Sequence, residues 1–235
     1  MTGMFMELLQ GLSASAPARC EVCRAWPAQP LCETCRAQFA APRPRCRRCA
    51  LALPEGVELC GRCAGNPPPL DACHAAVSYG YPWAGLVARY KFSGQPGWAD
   101  GFAALLAARE PVRDCLAGAD HVVPMPLSPA RLAARGFNQA HELARRLAPS
   151  RVAPTLALRL RDTPAQARLD REARQANMRQ AFALEPARAH EARGRRIVLV
   201  DDVMTSGASL FALARVFREA GASHVAAVVL ARTEG

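Results

Sequence analysis

The sequence predicts a parallel α/β domain preceded by a small cysteine-rich module. Eight of the ten cysteines fall into regularly spaced pairs before residue 64, and apolar strands alternate with helical segments from about residue 74 onward. One of these strands ends in two acidic residues, followed by a glycine-containing loop and a helix. Apolar strands that alternate with helices are typical of a parallel sheet with helices on both faces.

Composition narrows the class of protein. A chain of 235 residues corresponds to one large domain, or to a medium domain and a small one. A hydrophobic fraction of 51% excludes global disorder, and the absence of a long uncharged apolar run excludes a membrane-spanning helix. The first 16 residues lack a basic segment, and Glu7 and Gln10 interrupt their apolar run. We therefore expect a short amphipathic helix there rather than a signal peptide, and a cytoplasmic protein.

The cysteines form four CxxC pairs, and such pairs occur either in disulfide frameworks or in metal sites. Disulfide frameworks have irregular spacing, whereas two CxxC pairs complete a structural zinc site. The regular spacing therefore predicts two structural zinc ions. Sequential pairing places one ion on Cys20, Cys23, Cys32 and Cys35, and the other on Cys46, Cys49, Cys60 and Cys63. Interleaved pairing remains an alternative, and we expect no metal at Cys73 or Cys115.

A proline triplet marks the predicted end of this module. The cysteine-rich segment is short and rich in proline and arginine, so metal has to supply much of its folding energy. Asn66 is followed by Pro67, Pro68 and Pro69, which cannot continue a helix or a central strand. We therefore predict an N-terminal helix and double zinc ribbon over 1–68 and the α/β domain over 69–235.

The α/β domain is predicted from its periodicity. The apolar runs predict strands over 75–79, 121–126, 151–158, 195–202 and 225–230. Helical spacing predicts helices over 83–92, 98–109, 138–147 and 209–220, the last one ending at Gly221.

The strand over 195–202 carries the candidate binding site, because ligands of such sheets bind beyond the carboxyl ends of the strands. It ends in Asp201 and Asp202, and the following loop 205–209 contains hydroxyl residues and Gly207. Backbone N–H groups at a helix start favour an anion, whereas two carboxylates suit neutral sugar hydroxyls. The pattern therefore predicts a sugar-phosphate site. Two alternatives are a phosphorylation receiver or metal site, which requires further acidic residues, and a plain strand–turn–helix with a hydroxyl N-cap.

The same segment resembles a known signature. Residues 198–209, Val-Leu-Val-Asp-Asp-Val-Met-Thr-Ser-Gly-Ala-Ser, resemble the phosphoribosyl-pyrophosphate (PRPP) motif of type I phosphoribosyltransferases. Three further segments resemble the ComF/GntX branch, which also carries CxxC modules. They are 123–129 with Arg131, the Arg-Gly-Phe-Asn-Gln run 135–139, and 161–169 with Arg174, Asn177 and Phe182. The resemblance runs from about Cys20 to Thr233 and implies a type I phosphoribosyltransferase-like sheet.

The resemblance implies a role for each of these segments. Asp201 and Asp202 would be the catalytic residues that hold the ribose hydroxyls. The 5′-phosphate would be bound by Thr205, Ser206, Gly207, Ala208 and Ser209. The pyrophosphate would be bound by Pro124, Met125, Pro126, Arg131, Arg135 and Lys91, with Mg²⁺ bridging oxygens of PRPP. Arg161, Arg168 and Arg174 lie in a stretch that resembles the mobile loop of the superfamily.

The activity implied by the resemblance is Mg²⁺-dependent transfer of phosphoribosyl to a nitrogen acceptor that the sequence does not identify, linked to DNA uptake in competent bacteria. The charge of +10 is concentrated in 131–196, where 15 arginines and 6 acidic residues give +9. Such a stretch suits pyrophosphate or single-stranded DNA, but only Phe137 and Phe182 could stack bases there. Two alternatives are therefore a DNA-handling accessory protein, which would work with the DNA-uptake machinery, and a PRPP-sensing regulator without catalysis.

Overall fold

The computed structural model describes residues 19–26, 29–92, 94–160 and 181–234. The chain divides into two compact units, Met1–Ala41 and Pro42–Gly235. The predicted domains 1–68 and 69–235 stay a prediction, because the compact units divide at a different point and leave the last four CxxC cysteines in the larger unit. The helix expected near the N-terminus lies outside the described residues.

The smaller unit contains one described helix, α1 (Glu33–Phe39). Cys32 caps its start, since its Sγ accepts a hydrogen bond from the Cys35 N–H at 3.5 Å. Glu33 in the first turn suits the positive end of the helix dipole. The helix therefore begins at a cysteine of one CxxC pair and carries the other cysteine of that pair.

The larger unit contains the sheet. Its elements in chain order are α2 (Gly61–Gly65), β1 (Ala72–Ser78), α3 (Trp83–Phe92), α4 (Trp98–Ala107), α5 (Glu110–Ala117), β2 (His121–Pro124), α6 (Pro129–Arg135), α7 (Gln139–Leu147), β3 (Ala157–Arg159), β4 (Phe182–Leu184), β5 (Arg196–Met204), α8 (Ala208–Glu219) and β6 (His224–Arg232). Short 3₁₀ turns lie at Pro149–Arg151 and Ala189–Ala192.

Four strands form a fully parallel sheet in the order β1–β6–β5–β2. In its centre Asp201 of β5 lies opposite Val229 of β6, and on the other side Val200 lies opposite Pro124 of β2. The Val- and Ala-rich strand β6 is buried almost throughout, as expected for a central strand covered on both faces. The predicted parallel α/β fold is confirmed.

Helices pack on both faces of this sheet. Ile197 and Leu199 of β5 belong to one buried cluster with Leu213 and Phe217 of α8. Side chains alternate between the faces of a strand, and helices α4 and α7 pack against the same strands. The core therefore lies in two layers, one on each side of β5 and β6.

Helix α3 coincides with its predicted range 83–92. Its buried residues Trp83, Leu86, Val87 and Tyr90 have the i, i+3, i+4, i+7 spacing of a single helical face. That face anchors the helix and fixes where its last turn, which carries Lys91, is placed.

The strand predicted over 151–158 is wrong in most of its length. The chain makes a 3₁₀ turn at Pro149–Arg151, and only Ala157–Arg159 forms a strand, paired antiparallel with β4 in a separate sheet. Pro154 removes a backbone donor from the middle of the stretch. Helices α5 and α6 were not predicted. None of the helices in the described ranges is long and apolar enough to cross a bilayer.

Candidate functional site

The two acidic residues lie near the carboxyl end of the central strand β5. Asp202 is 5% exposed, and its Oδ1 lies 2.8 Å from Nζ of Lys91 at the end of α3. The Asp202 N–H donates to Oδ1 of Asp201 at 2.8 Å. The two carboxylates are thus held by neighbours that leave further oxygen lone pairs for a ligand.

The environment of Asp201 makes its charge sensitive to pH. Burial raises the pKa of Asp201 to about 7, and the negative charge of Asp202 acts in the same direction. Lys91 and Arg135 favour the ionised form and lower the pKa in part. Near neutral pH, Asp201 can therefore donate a hydrogen bond to a ligand hydroxyl when it is protonated, or accept one from it when it is ionised.

Contacts between α3 and α7 hold Lys91 beside these acids. The Tyr90 hydroxyl donates to the backbone oxygen of Gln139 at 2.9 Å, and its ring packs edge-on against Phe102 at 5.4 Å. The sequence suggested that Lys91 contacts pyrophosphate, and this role stays a prediction. The structure places Lys91 on Asp202, one of the acids expected to hold ribose.

The loop 205–209, called the phosphate loop below, connects β5 to α8. Gly207 has φ +81°, and a Cβ there would lie 2.5 Å from Met204 Cε and 2.6 Å from Phe211 Cζ. Only glycine fits this position without strain. Thr205, Ser206 and Ala208 are exposed, and Ser209 is half-buried. The first backbone N–H groups of α8 lack helical partners and can bind an anion.

Two arginines that the sequence analysis did not select hold the carbonyl groups of this loop. Arg232 donates to the Thr205 oxygen at 2.6 Å, and Arg62 donates to the Ser206 oxygen at 3.0 Å. Arg232 ends the otherwise apolar strand β6 and is 4% exposed. A charged residue at the end of a central strand was the one sequence signal that pointed to it.

The predicted pyrophosphate segment is largely used for structure. Pro124 and Pro126 have no N–H, and the Met125 N–H donates to the Val200 oxygen at 2.9 Å. The next backbone donors along the chain are those of Leu127 and Ser128. The segment can therefore contribute fewer backbone hydrogen bonds to pyrophosphate than its length suggests, so nearby cations would have to do more.

Arg135 is, with Lys91, a cation of the predicted pyrophosphate set whose charge acts on the acids. Its guanidinium donates to Oε1 of Gln139 at 3.0 Å and lies 5.4 Å from the centre of the exposed Phe92 ring. Arg131 lies half-buried in the first turn of α6. Asn138 caps α7 through the His141 N–H at 3.2 Å.

The structure describes Asn138 and Gln139 of the predicted family segments, but not those between residues 161 and 180. Asn138 also donates to the Met125 oxygen at 3.0 Å, so the Arg-Gly-Phe-Asn-Gln run holds the segment that is predicted to bind pyrophosphate. Among the described residues, Nε2 of Gln139 is the one buried side-chain nitrogen or oxygen without a hydrogen-bond partner. Arg161, Arg168, Arg174 and Asn177 lie outside the described residues.

The cysteines form two groups with the geometry of metal sites. In each group the four Sγ atoms lie within 4.8 Å of one another. The distances of 3.8 Å for Cys20–Cys35 and 3.7 Å for Cys49–Cys60 fit a tetrahedron whose Zn–S bonds are about 2.3 Å. The first cysteine cluster is Cys20, Cys23, Cys32 and Cys35; the second cysteine cluster is Cys46, Cys49, Cys60 and Cys63. The structure thus shows sequential grouping, and either cluster could hold zinc.

Comparison with known proteins agrees with this geometry. The family model of the phosphoribosyl transferase domain matches residues 132–234, which include both acids and the phosphate loop. The chain is also 51% identical to adenine phosphoribosyltransferase of Nocardia farcinica over 53 residues, which are 22% of this chain and 28% of that protein.

Two relatives match a much larger part of the chain. Competence protein F of Haemophilus influenzae is 32% identical over 196 residues, which cover 80% of this chain and 85% of the relative. DNA utilization protein YhgH of Escherichia coli K12 is 30% identical over 194 residues, covering 80% and 84%. This chain therefore belongs to the competence protein F family and carries a phosphoribosyltransferase domain.

Proposed function

We propose that this protein binds PRPP with Mg²⁺ and transfers its phosphoribosyl group to a nitrogen acceptor in the cytoplasm, in a process connected with DNA uptake. The observation that carries the proposal is the juxtaposition of two carboxylates, a lysine and a glycine-containing loop that opens a helix, at one end of β5. Lys91 contacts Asp202 at 2.8 Å, and the phosphate loop begins three residues after Asp202.

Each part of the site suits one part of PRPP. Asp201 and Asp202 would accept hydrogen bonds from the ribose hydroxyls, because carboxylate oxygens repel phosphate but bind neutral hydroxyl groups. The phosphate loop would hold the 5′-phosphate with the first N–H groups of α8 and with the Thr205 and Ser206 hydroxyls. Lys91, Arg131 and Arg135 would supply positive charge for the pyrophosphate.

The reaction would be a substitution at C1′ of the ribose. A bond forms from the acceptor nitrogen to C1′ while the C1′–O bond to pyrophosphate breaks. The pyrophosphate leaves with the bonding electron pair, and the acceptor nitrogen loses its proton to solvent. The chain's own residues would act by positioning both partners and by stabilising the negative charge that develops on pyrophosphate.

Magnesium would neutralise charge on the pyrophosphate when it is bound with the substrate. Within the described residues, the two cysteine clusters are the groups of three or more side chains that could hold a metal ion. A magnesium ion would therefore take most of its ligands from oxygens of PRPP, with the carboxylates of Asp201 and Asp202 close by.

We also propose that both cysteine clusters hold zinc, because the four sulfurs of each have the spacing that a tetrahedral ion requires. Metal analysis of the purified full-length protein should give two zinc ions per chain. A value near one would show that one cluster serves another purpose.

The test of the proposed function is isothermal titration of the full-length protein with PRPP and Mg²⁺, followed by a pyrophosphate-release assay with candidate nitrogen acceptors. The variant Asp201→Asn with Asp202→Asn should abolish PRPP binding. The variant Glu110→Gln with Asp114→Asn on α5 makes the same charge change and should bind normally. Equal PRPP affinity in both double variants would contradict the proposal. Binding without pyrophosphate release for any acceptor would indicate a PRPP-sensing regulator.

A second candidate is a protein that handles single-stranded DNA. The names of the relatives and the net charge of +9 over 131–196 favour it. Many described arginines of that stretch are, however, already paired with acidic side chains. The pairs are Arg145–Glu142, Arg146–Asp100, Arg146–Glu142, Arg188–Glu191 and Arg195–Asp120.

The two candidates respond differently to mutation. DNA handling predicts a salt-dependent affinity for single strands that falls when the arginines of 131–196 are replaced by glutamine. That affinity should persist in the variant with both Asp201 and Asp202 changed. Absence of salt-dependent DNA binding in the wild-type protein would exclude this candidate.

A further inference from the structure

We propose that the second cysteine cluster is a working part of the PRPP site. Through Arg232 and Arg62 it holds the carbonyl groups of the phosphate loop, so PRPP affinity depends on the metal that this cluster holds. The proposal rests on the proposed function and adds a dependence on zinc and two positioning residues. It does not involve the first cysteine cluster, which belongs to the smaller unit.

Arg232 forms the buried connection. Its Nε donates to the backbone oxygen of Cys49, a cluster residue, at 2.9 Å. The other end of the same guanidinium donates to the backbone oxygens of Thr205 and Thr233, each at 2.6 Å. A planar guanidinium presents several donors in a fixed arrangement, so this one side chain sets the position of the phosphate loop against the cluster.

The charge of Arg232 also matters for the loop. Within the described ranges, no carboxylate forms an ion pair with it, although it is 4% exposed. Its hydrogen bonds to backbone oxygens withdraw electron density from the loop's carbonyl side, and its positive charge lies directly behind a loop expected to bind phosphate. A buried cation in a low-dielectric setting favours an anion at short range.

Arg62 forms a second, exposed connection. It lies on α2 between the ligand residues Cys60 and Cys63, and its guanidinium donates to the Ser206 oxygen at 3.0 Å. The backbone on either side of Arg62 is therefore fixed by the metal ligands themselves. Two consecutive backbone carbonyl groups of the phosphate loop thus accept hydrogen bonds from two different side chains. One of these, Arg62, lies between two cysteines of the cluster, and the other, Arg232, is hydrogen-bonded to a third.

A third contact comes from the core beneath the loop. Met204, the residue before the loop, has its Sδ 3.7 Å from Sγ of Cys73. Cys73 and the four cluster residues belong to the same buried group as Met204. Met204 in turn lies where a Cβ on Gly207 would have to fit. Packing contacts, in addition to the hydrogen bonds, therefore connect the second cysteine cluster to the phosphate loop.

The metal would act as the cross-link that keeps this arrangement in place. A four-cysteine cluster of this kind gains its order from the bound ion, and loss of the ion releases the ligand backbone. Cys49 and Arg62 would then lose their fixed positions, and the loop would have to be ordered when PRPP binds. Ordering a loop at the moment of binding costs affinity, whereas a preorganised loop avoids that cost.

The test uses two arginines of the second cluster's segment as a matched pair. Arg62→Ala removes the bond to Ser206, whereas Arg47→Ala removes only an exposed contact of 4.0 Å to Glu58. We expect Arg62→Ala to raise the Kd for PRPP with Mg²⁺ about tenfold, because the loop would then have to be ordered when PRPP binds. Arg47→Ala should leave it unchanged. Both variants should keep two zinc ions per chain and the wild-type Tm, which excludes a general loss of folding.

Arg232 is tested with conservative and non-conservative variants. Arg232→Lys keeps the charge but cannot reach both Cys49 and Thr205, so it should raise the Kd for PRPP less than Arg232→Met does. In the wild-type protein, removal of zinc by a chelator should raise the Kd, and added zinc should restore it. In the variant with both Arg62→Ala and Arg232→Lys, zinc removal should change the Kd much less.

Three outcomes separate the claims. Failure of the zinc-loaded wild-type protein to bind PRPP would overturn the proposed function and this inference together. PRPP binding that is equal in the Arg47 and Arg62 variants and insensitive to zinc would overturn the inference while leaving the proposed function intact. A matched rise in Kd for Arg47→Ala and Arg62→Ala would also overturn it, because the effect would then not follow the bond to Ser206.

Discussion

The two cysteine clusters share one sequence pattern but occupy very different surroundings. In the first cluster Cys23 is exposed and Cys32 is half-buried, and the cluster belongs to the unit Met1–Ala41. In the second cluster all four cysteines are buried, and they pack with Leu70 and Cys73 in the core of the sheet unit. CxxC spacing specifies which residues can share an ion. It does not specify what that ion supports, which depends on the surface that the cluster packs against.

The largest expected effect is a difference in the free energy of unfolding between cysteine variants of the two clusters. Cys49→Ser should remove a buried ligand and lower the free energy of unfolding of the larger unit by several kcal/mol, because metal affinity is folding energy in such sites. Cys23→Ser should change the free energy of unfolding of the larger unit by no more than about 0.5 kcal/mol, because Cys23 is exposed and belongs to the smaller unit. Urea unfolding followed by tryptophan fluorescence in a Trp26→Phe background measures this difference, because the two remaining tryptophans, Trp83 and Trp98, both lie in the larger unit. Equal losses in the two variants would contradict the comparison.

The next largest effect compares the ion pair between Lys91 and Asp202 with the second cluster as a source of stability in the larger unit. Lys91→Met leaves the 7% exposed Asp202 side chain without its ion-pair partner. Removing one partner of a buried pair costs about 3 kcal/mol, and we expect that loss in urea unfolding together with weaker PRPP binding. The double variant with Asp202→Asn should recover part of the stability. An additive loss in the double variant would show that the two side chains act independently.

A smaller effect comes from inside the phosphate loop. Gly207→Ala introduces a side chain at φ +81° and should cost about 2 kcal/mol of stability and reduce PRPP affinity. Gly61→Ala is the matched control next to the second cluster, since a Cβ there meets no atom within 4 Å. It should leave both properties unchanged. If Gly61→Ala proves as harmful as Gly207→Ala, the loop has no special requirement for glycine.

The last expected effect is a dependence of stability on pH. The pKa of Asp201 is raised from 3.8 to about 7, so the unfolded chain ionises first as pH rises and the folded state loses relative stability between about pH 4 and pH 7. In Asp201→Asn this loss is absent. The stability of Asp201→Asn relative to wild type should therefore rise across that window, by up to about 4 kcal/mol for a shift of about three pKa units, and level off above it. Comparing the two proteins in urea at several pH values cancels the titration of the cysteines, and a constant difference would refute the shift.

Local patterns predicted much of the fold. The spacing of Trp83, Leu86, Val87 and Tyr90 gave α3 its correct range, and an apolar run followed by two acids located β5 and the loop after it. Helix α6 (Pro129–Arg135) was missed because it buries no residue, so it has no apolar face for the sequence to show. The strand over 151–158 was predicted from its apolar run, but the structure forms only a short antiparallel pair at its end.

The sequence predicts which residues form the candidate site but not the contacts that connect them. The acids and the glycine of the phosphate loop stand next to each other in the chain, so their pattern is visible in one segment. Lys91 and Asp202 are far apart in sequence and meet because Tyr90 anchors the end of α3 to α4 and α7. Arg232 and Arg62 bind the loop through its backbone oxygens, and a contact with a backbone carbonyl places no demand on the residue type of its acceptor.

Amide hydrogen exchange with and without PRPP and Mg²⁺ is the most direct test of the central claim that the loop between β5 and α8 holds the phosphate of PRPP. Peptides covering 204–212 should exchange more slowly with PRPP in the wild-type protein, and this protection should be weaker after zinc is removed. Saturable PRPP binding that leaves exchange in 204–212 unchanged would contradict the account.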